Sequence, residues 1–401
     1  MNLKQILVFL ISICFCLLTI NSIFAQSSNS LHEDINAFVE EQKDKSKIPG
    51  LAVIAIKDGK TIYKEGKGQA DISTEQPILD STLFEMGSNT KAFTALAILK
   101  LEEEGKLNLS DPISKYLPWF NASFEGENVD IKLEQLLYHS SGIPYYTIID
   151  IPKSNSIDAL EENVRLLSGV ELDEHPGKEF QYATINYDVL GLVIEKVSSL
   201  KYEDYVQENI LTPLELKGMT VGRTTNESKI ATGYKLAFGK PVSFEAPDYR
   251  GNIPAGYMFT DLNSIEKWLR IQMGLEKKEW FDIISLSHQP DRSVQPETDG
   301  SSYASGWTIY QDGDGIAAHL GSNPNYSSHI TFRLGDEKNA VAVLANMNSS
   351  NVQKIGQGIL ELVEEEELSI SDSLDYYMKV DWVSTLIIIF GCIFSLFVIF
   401  Y

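Results

Sequence analysis

Cysteine is almost absent from this sequence of 401 residues. Its three cysteines, Cys14, Cys16 and Cys392, all lie in strongly apolar segments near the two ends of the chain. The long segment between them therefore has neither a disulfide framework nor a cysteine metal site. The six histidines form no HExxH or comparable pair, which argues against a catalytic zinc ion.

Basic residues are also scarce. Fifty-six Asp and Glu residues against 33 Lys and Arg residues give a formal net charge of -23. A surface this acidic repels phosphate backbones and anionic lipid headgroups, so we expect no nucleic-acid partner. Hydrophobic residues make up 43% of the chain and charged residues 22%, which is the balance of a globular protein and excludes a disordered or collagen-like one.

The first 25 residues have the features of an export signal. Lys4 supplies a positive charge, residues 6–20 are apolar, and Ala25 ends an acceptable small-residue cleavage site. The alternative is an uncleaved membrane anchor, because the apolar run is fairly long. We predict a signal peptide over residues 1–25 and an exported body.

The other end of the chain, residues 382–401, contains no charged side chain. A helix needs about 20 apolar residues to cross the hydrocarbon core of a membrane. A buried core helix is the alternative, but this segment is long for one. We therefore predict a transmembrane helix over residues 382–401, preceded by a solvated acidic and polar spacer over residues 368–381.

The body between these ends, residues 31–367, has strand patterns near both of its termini. Residues 51–56 and 61–63 flank Asp58-Gly59, which predicts a β-hairpin with a type I′ turn. Three further strands are predicted near the other terminus, over residues 315–319, 329–334 and 340–345, followed by a helix over 351–365. Residues 90–275 consist mostly of helices and loops. Strands from both termini pair most simply into one sheet, which predicts an α+β domain with a helical insertion.

Ser88 and Lys91 stand three residues apart at the start of a predicted helix over residues 90–104. Side chains at this spacing share one face of a helix, about one turn apart. The positive end of the helix dipole favours an alkoxide, and desolvation allows a lysine to accept the serine proton. The pair alone is a weak signal, because Ser198 and Lys201 have the same spacing on ordinary helical surface. A serine that caps the helix beside a solvated lysine is the alternative.

Five further motifs follow this pair in the chain and give it a context. The six segments, in order, are FEMGSNTKAFTA (84–95), LLYHSSGIP (136–144), YATINYDVLG (182–191), PAG (254–256), YASGW (303–307) and HLG (319–321). Together they closely resemble the serine β-lactamase and penicillin-binding-protein superfamily. Within it, the match is to the branch of class C β-lactamases, D-stereospecific peptidases and related esterases. The resemblance covers residues 35–363 and implies an antiparallel sheet flanked by helices, with a mainly helical lobe inserted.

The resemblance also assigns roles to particular residues. It implies that Ser88 is the acylated nucleophile and that Lys91 activates it. Tyr182 matches the tyrosine of the family that relays a proton between the nucleophile and the leaving group. A tyrosine is protonated at neutral pH, so it needs the nearby lysine in order to act as a base. No metal or organic cofactor is implied.

The HLG segment falls where the family has Lys-Thr-Gly or His-x-Gly on the strand that borders the cleft. The resemblance gives His319 a catalytic role there. It places the oxyanion hole at the backbone N–H groups of Ser88 and of Ser322, the residue after Gly321. The histidine of the HSSGIP segment, His139, more plausibly holds a loop than takes part in catalysis.

Two positions depart from the pattern of the family. Thr184 stands where an asparagine usually binds the acyl side-chain amide of the substrate, and Asn186 lies at the wrong offset to replace it. Leu320 stands where antibiotic-hydrolysing members have a threonine, and His319 replaces their charged lysine. These changes should weaken the binding of β-lactams and D-Ala-D-Ala termini by about a few kcal/mol.

We therefore predict an exported serine hydrolase, held at the outer face of a membrane by its C-terminal helix. It would act on amide or ester bonds of a small-molecule or peptide substrate through an acyl-enzyme at Ser88. D-alanyl groups of the cell wall are the expected substrates, and the favoured activity is that of a peptidase, amidase or esterase. One alternative is a β-lactamase or penicillin-binding protein proper. The other is a membrane-tethered sensor or binding module that has lost turnover.

Overall fold

The computed structural model describes residues 30–224, 227–311, 315–369 and 373–400. The predicted signal peptide, residues 1–25, lies outside the described residues. The strands are β1 (Gly50–Lys57), β2 (Lys60–Asp71), β3 (Gln76–Pro77), β4 (Phe84–Glu85), β5 (Ala122–Phe124), β6 (Glu127–Val129), β7 (Val170–Glu171), β8 (Thr220–Val221), β9 (Tyr234–Ala237), β10 (Lys240–Ser243), β11 (Met258–Thr260), β12 (Ser302–Tyr303), β13 (Thr308–Tyr310), β14 (Ile316–Asn323), β15 (Tyr326–Arg333) and β16 (Ala340–Ala345). The α-helices are α1 (residues 30–46), α2 (Lys91–Glu103), α3 (Leu133–Leu137), α4 (Ala159–Arg165), α5 (Ile185–Ser198), α6 (Tyr202–Val206), α7 (Thr212–Leu214), α8 (Ile253–Gly256), α9 (Leu262–Gln272), α10 (Phe281–Ser287), α11 (Asn351–Val363) and α12 (Tyr376–Phe400).

An antiparallel sheet of eight strands forms the centre of the protein, in the order β12-β13-β14-β15-β16-β1-β2-β3. The two ends of the body meet in it where β1 pairs with β16, with Leu51 opposite Ala345. The predicted hairpin is present, and its turn residues Asp58 and Gly59 have φ angles of 48° and 73°, as a type I′ turn requires. The predicted α+β fold with one sheet built from both termini is confirmed.

The sheet is covered on both faces, and β1 shows why. Successive side chains of a strand point to opposite faces. Ile54 and Ile56 accordingly belong to the larger hydrophobic core, beneath the helical lobe, whereas Leu51 and Val53 belong to a smaller core. The smaller core lies between the sheet and the helices α1 and α11. The central strand is therefore apolar throughout rather than alternating.

The segment between β4 and β12 forms the inserted lobe, which is mainly helical, as predicted. Its central helix, α2, is buried along most of its length, and the Phe93 ring stacks on Trp268 of α9 with 4.3 Å between centroids. The predicted helix over residues 90–104 differs at its start. Residues Gly87–Thr90 form a turn of 3₁₀-helix, and α2 begins at Lys91. Ser88 thus lies on the tighter turn that leads into the helix.

The C-terminal helix, α12, is long and apolar enough to cross a membrane, with a mean hydropathy of 2.8 over its most apolar window and none of that window buried. It begins at Tyr376 rather than at residue 382. Most described residues of the predicted spacer, residues 368–381, are exposed or half-buried, and Asp375 is the exception among them. Asp375 is 2% exposed and accepts hydrogen bonds from Ser349 Oγ at 2.7 Å and from the N–H groups of Asn351 and Tyr377 at 3.1 and 2.8 Å. One carboxylate therefore satisfies N–H groups at the starts of both α11 and α12.

Candidate active site

Ser88 lies on the 3₁₀ turn between β4 and α2, half-buried at the floor of a cleft. The turn starts at Gly87, whose φ of 54° is in the left-handed region that favours glycine. The carbonyl oxygen of Ser88 accepts a hydrogen bond from the N–H of Lys91, which closes the turn. Ser88 lines the cleft, while the next residues, Asn89 and Thr90, are buried.

Lys91 is completely buried beside this hydroxyl. Its Nζ lies 3.1 Å from Ser88 Oγ and donates a hydrogen bond to the Ala255 carbonyl oxygen of α8 at 2.8 Å. The same Nζ lies 5.2 Å from the centroid of the Tyr182 ring and 5.6 Å from that of Tyr187. The predicted Ser–Lys pair and the predicted tyrosine are therefore brought together. The solvated lysine of the alternative interpretation is wrong.

The loop that carries Tyr182 is held from below by His139. The His139 ring lies 4.1 Å from the Tyr182 ring, and its Nδ1 accepts hydrogen bonds from the N–H of Ala183 at 3.3 Å and from the Asn186 amide at 3.1 Å. Burial, together with the charge of Lys91, lowers the pKa of His139 well below its ordinary value, so the ring is neutral and can accept these bonds. His139 holds the loop, as the sequence indicated. Asn186 is fully buried and faces His139 rather than the cleft.

Strand β14 packs directly against the turn that carries the nucleophile. A Cβ atom on Gly321 would lie 2.0 Å from the Met86 carbonyl oxygen, and one on Gly87 would lie 2.5 Å from Ser322 N. Both positions therefore need glycine for this close approach. Ser322 lines the same cleft as Ser88. The backbone of the predicted oxyanion residues is thus placed at one wall of the site.

His319 lies under this wall rather than in the cleft. It is 7% exposed, its Nδ1 lies 2.9 Å from the Leu320 carbonyl oxygen, and its Nε2 lies 2.9 Å from the Tyr303 hydroxyl. A carbonyl can only accept, so Nδ1 carries the proton and Nε2 accepts from Tyr303. Burial and the charge of Lys91 lower the pKa of His319 to about 3, so the imidazole is neutral at physiological pH.

The cleft above Ser88 has a volume of about 430 Å³. Thr184 lines it, and the binding of substrate by Thr184 stays a prediction. Two isoleucines of the 3₁₀ segment Tyr145–Asp150, Ile148 and Ile149, also line it, although they are 48% and 80% exposed. Lys153 adds an exposed positive charge to the same wall. These three residues carry no signal in the sequence, because only the folded chain brings this segment opposite Ser88.

Two buried carboxyl groups near the site were also missed. Asp188 of α5 is fully buried and accepts a hydrogen bond from the Asn163 amide at 2.9 Å. Burial raises the pKa of Asp188 well above its ordinary value, although the charge of Lys91 opposes this effect. Glu85 of β4 accepts a hydrogen bond from Asn323 at 2.6 Å, and burial raises the pKa of Glu85 to about 7. Neither residue has a sequence pattern that distinguishes it from an exposed acid.

Comparison with known proteins agrees with this geometry. The family model described as Beta-lactamase matches residues 35–366. Protein flp of Staphylococcus aureus (strain MW2) is 34% identical over 376 residues, which cover 92% of this chain and 75% of that protein. Penicillin-binding protein 4* of Bacillus subtilis (strain 168) is 26% identical over 330 residues, which cover 78% of this chain and 71% of that protein.

Solved structures show the same fold. The octameric penicillin-binding protein homologue from Pyrococcus abyssi superposes with a TM-score of 0.73 at 28% identity, over 84% of this chain and 78% of that one. EstCE1, a hydrolase with promiscuous acyltransferase activity, superposes with a TM-score of 0.73 at 22% identity, over 84% of this chain and 99% of that one. The predicted class C branch stays a prediction. The chain belongs to the Beta-lactamase family and has the β-lactamase/transpeptidase-like fold.

Proposed function

We propose that this protein is a membrane-anchored serine hydrolase that cleaves amide or ester bonds through an acyl-enzyme at Ser88. One observation carries this proposal: the buried Lys91 Nζ lies 3.1 Å from Ser88 Oγ at the floor of an open cleft. A lysine that served only to stabilise the fold would gain nothing from being desolvated beside a serine hydroxyl.

The first step is attack of Ser88 Oγ on the substrate carbonyl carbon, with transfer of the hydroxyl proton to the Lys91–Tyr182 pair. This step requires the amine form of Lys91, whose lone pair accepts the proton while an N–H of the same nitrogen donates to the Ala255 carbonyl. The N–H groups of Ser88 and Ser322 stabilise the oxyanion of the tetrahedral intermediate. The proton then passes to the leaving amine or alcohol, and the ester to Ser88 forms.

Water then releases the acyl group. In this second half of the reaction water is the nucleophile and Ser88 is the leaving group. The pair of Lys91 and Tyr182 takes a proton from water, the resulting hydroxide equivalent attacks the ester carbonyl, and Ser88 Oγ leaves with the proton returned to it. The products are a carboxylic acid and the free serine. His319 is not a proton donor in this scheme, because it is neutral and bonded to Tyr303; its role is to position the β14 wall.

The expected substrates are D-alanyl amides and esters of the cell wall. Two similar proteins support this class of substrate: Penicillin-binding protein 4* of Bacillus subtilis and the penicillin-binding protein homologue from Pyrococcus abyssi. The neutral His319 removes a fixed charge at β14, which weakens the recognition of a carboxylate there. The exposed Lys153 on the opposite wall supplies a positive charge instead. This arrangement favours a peptidase or esterase over an efficient β-lactamase.

Export and membrane attachment are part of the proposal. They rest on the apolar segment within residues 1–25 and on α12, whose composition and length fit a membrane span. In this arrangement the body and its cleft lie on the outer face of the membrane, where wall substrates are found.

Turnover of three substrate classes tests the proposal: a p-nitrophenyl ester, a D-alanyl p-nitroanilide and a chromogenic β-lactam. We expect steady hydrolysis of the first two, slow hydrolysis of the third, and loss of all three in Ser88→Ala. Ser198→Ala is the matched control, because Ser198 has the same spacing to Lys201 and donates to the Ile194 carbonyl on the surface of α5.

The outcomes separate the alternatives. Fast β-lactam turnover would favour a β-lactamase proper. Stoichiometric labelling without recovery would favour a sensor, which the unusual Thr184 and Leu320 make a specific second candidate. Turnover that survives in Ser88→Ala would contradict the proposal.

A further inference from the structure

The hairpin formed by β9 and β10 lies against the first turns of α12. Its tip is held by Asp381 of α12 and by Lys47, the residue after α1. The N–H groups of Phe238 and Gly239 donate to the two carboxylate oxygens of Asp381 at 2.8 and 2.7 Å. The carbonyl oxygen of Gly239 accepts a hydrogen bond from Lys47 Nζ at 2.8 Å. The polar backbone of the turn is therefore satisfied by the protein, and the turn has a fixed height relative to α12.

That height corresponds to the end of a membrane-spanning segment. Asp381 is the last charged residue before the charge-free stretch that begins at Trp382. The segment from Trp382 to Phe400 is about 28 Å long at about 1.5 Å per residue, close to the roughly 30 Å of a hydrocarbon core. Tyr377 and Trp382 flank its start, and such aromatic residues are enriched at membrane interfaces. If α12 spans the membrane, the tip of the hairpin lies among the lipid headgroups.

The side chain at the tip is apolar and exposed. Phe238 is 64% exposed, and Val242 of the adjacent strand is 49% exposed. Phe238 also has a φ of 52°, a left-handed conformation that favours Gly, Asn or Asp and that is costly for a bulky residue. A phenylalanine at this position contributes nothing to the turn itself. Its presence points to a role for the ring outside the protein.

Several lysines surround the tip together with the acid Asp381, which is bonded to the backbone of the turn, whereas the chain as a whole is strongly acidic. The whole protein has a net charge of -23, yet residues 234–244 contain no Asp or Glu. Lys240 on the hairpin and Lys379 on the first turn of α12 are both exposed, and Lys47 lies beside the turn. Lysines near a membrane surface are attracted to anionic lipids. The acidic surface of the rest of the protein has the opposite effect, so the attraction is confined to this end.

We propose that the β9–β10 hairpin is a lipid-contacting surface, with the Phe238 ring inserted at the headgroup level and Lys240 and Lys379 against anionic headgroups of the same bilayer. This inference rests on the membrane span included in the proposed function, and it goes beyond that function. With two attachments, α12 and the hairpin, the body has one orientation on the membrane rather than swinging on a flexible tether.

Residues 348–350 connect the start of α12 to the active-site cleft. Asp375, at the start of α12, is bonded to Ser349 Oγ and Ser350 Oγ at 2.7 and 3.0 Å. The preceding residue, Asn348, lines the cleft and accepts a hydrogen bond from Ser322 Oγ at 3.2 Å. The cleft is therefore tied to α12 at its rim, and the fixed body presents it at a defined position relative to the membrane.

Depth-dependent fluorescence quenching on the full chain in lipid nanodiscs tests the inference. A single cysteine labelled with an NBD dye is introduced in a background of Cys14→Ser, Cys16→Ser and Cys392→Ser. Phe238→Cys is the test position, and Phe390→Cys within α12 reports on the span. Phe281→Cys is the control. Phe281 is 53% exposed and packs by Gly274, near Leu275 and the Asp58–Gly59 turn at the far end of the sheet.

In nanodiscs that contain phosphatidylglycerol, we expect lipids with a headgroup spin label to quench the dye at 238 at least about threefold more than the dye at 281. Acyl-chain spin labels should quench the dye at 390. Equal quenching at 238 and 281, with strong quenching at 390, would overturn the hairpin contact and leave the span intact. Absent quenching at 390 would overturn both the hairpin contact and the membrane span. The Ser88-dependent hydrolase activity is tested independently, by the turnover assays.

Charge reversal tests the electrostatic part. Lys240→Glu combined with Lys379→Glu should reduce quenching at 238 in phosphatidylglycerol nanodiscs to the level in pure phosphatidylcholine. Lys60→Glu, an exposed lysine beside the Asp58–Gly59 turn, is the matched control and should change nothing. Quenching that is equally unaffected by both changes would contradict a contact with anionic headgroups.

Discussion

The hydroxyl of Tyr303 donates a hydrogen bond to His319 Nε2 at 2.9 Å beneath the wall of the cleft. The bond holds the imidazole away from the substrate, and the carbonyl of Leu320 occupies its other nitrogen. By resemblance, antibiotic-hydrolysing members carry a charged lysine at this position. Here the position is neutral, so β14 offers the proposed nucleophile Ser88 no fixed charge at residue 319 with which to bind a substrate carboxylate.

Lys91→Met should slow acylation by about 10²- to 10⁴-fold without destabilising the fold. The change removes the group that accepts the Ser88 proton, and general-base catalysis of this kind contributes about 10²- to 10⁴-fold to the rate. Methionine has a similar length and carries no charge into the fully buried site, so the melting temperature should be equal or higher. Stopped-flow ester hydrolysis and thermal unfolding of the same preparation measure the two effects. A variant that keeps its turnover, or that melts well below the parent, would contradict this assignment.

Thr184→Asn should increase the reactivity toward amide-bearing substrates. Thr184 lines the cleft but has no amide hydrogens, whereas asparagine can both donate and accept. One additional neutral hydrogen bond is worth about 0.5–1.5 kcal/mol, which corresponds to roughly a twofold to tenfold rise in kcat/KM. The ratio of kcat/KM for an N-acyl-D-alanyl amide to that for p-nitrophenyl acetate measures it, because the acetate has no amide to bind. An unchanged ratio would show that this position does not contact the substrate.

The buried histidines should make the protein less stable already at mildly acidic pH. Burial lowers the pKa of His319 and His288 to about 3 and that of His329 to about 4, and it also lowers the pKa of His139. Between these values and about 6.5 the unfolded chain binds more protons, so stability falls as the pH drops through this window. Glu85, Asp188 and Glu195, whose pKa values are raised by burial, have the opposite sign, but they are three carboxyl groups against four histidines. The melting temperature should therefore fall steadily between about pH 7 and pH 5.

His288→Gln isolates one of these contributions. His288 is buried and bonded to Gln272 at 2.8 Å, remote from Ser88. Removing its titration should reduce the slope of unfolding free energy against pH by up to about 1.4 kcal/mol per pH unit below pH 6.5. The same slope in parent and variant would show that buried histidines do not cause the acid sensitivity.

Glu85→Gln should stabilise the protein in a manner that depends on pH. The pKa of Glu85 is raised from 4.5 to about 7, so the folded state holds a proton that the unfolded state loses, and stability declines as the pH rises from about 4.5 to 7. Glutamine keeps an acceptor for the Asn323 amide without this cost. We expect a gain of about 3 kcal/mol at pH 8 that vanishes near pH 4.5. An equal gain at both pH values would point to packing instead of ionisation.

The parts of the fold that follow local patterns could be predicted from the sequence. The Asp58–Gly59 turn has residues that adopt positive φ, and β16 occupies the predicted residues 340–345 because its apolar run is bounded by turns. The helical insertion could be predicted because residues 90–275 have the patterns of helices and loops. The start of α2 could not, because a 3₁₀ turn and the first turn of an α-helix have the same residue preferences.

The parts of the site that depend on contacts between residues far apart in the sequence could not be predicted. Lys153 reaches the cleft because a long loop crosses over Ser88, and the pairing of Tyr303 with His319 depends on the register of neighbouring strands. Asp375 looked like a solvated spacer residue, since its partner Ser349 lies on a separate loop. In each case the residue type carries no local signal of its partner.

Intact mass after treatment with a fluorophosphonate probe tests the central claim most directly. The probe reacts only with a serine that its surroundings activate. We expect the buried Lys91 to activate Ser88 in this way. We expect one adduct per chain on the parent protein and on Ser198→Ala, located on the peptide that contains Ser88, and none on Ser88→Ala. A folded parent protein that remains unlabelled, or an adduct that persists in Ser88→Ala, would contradict it.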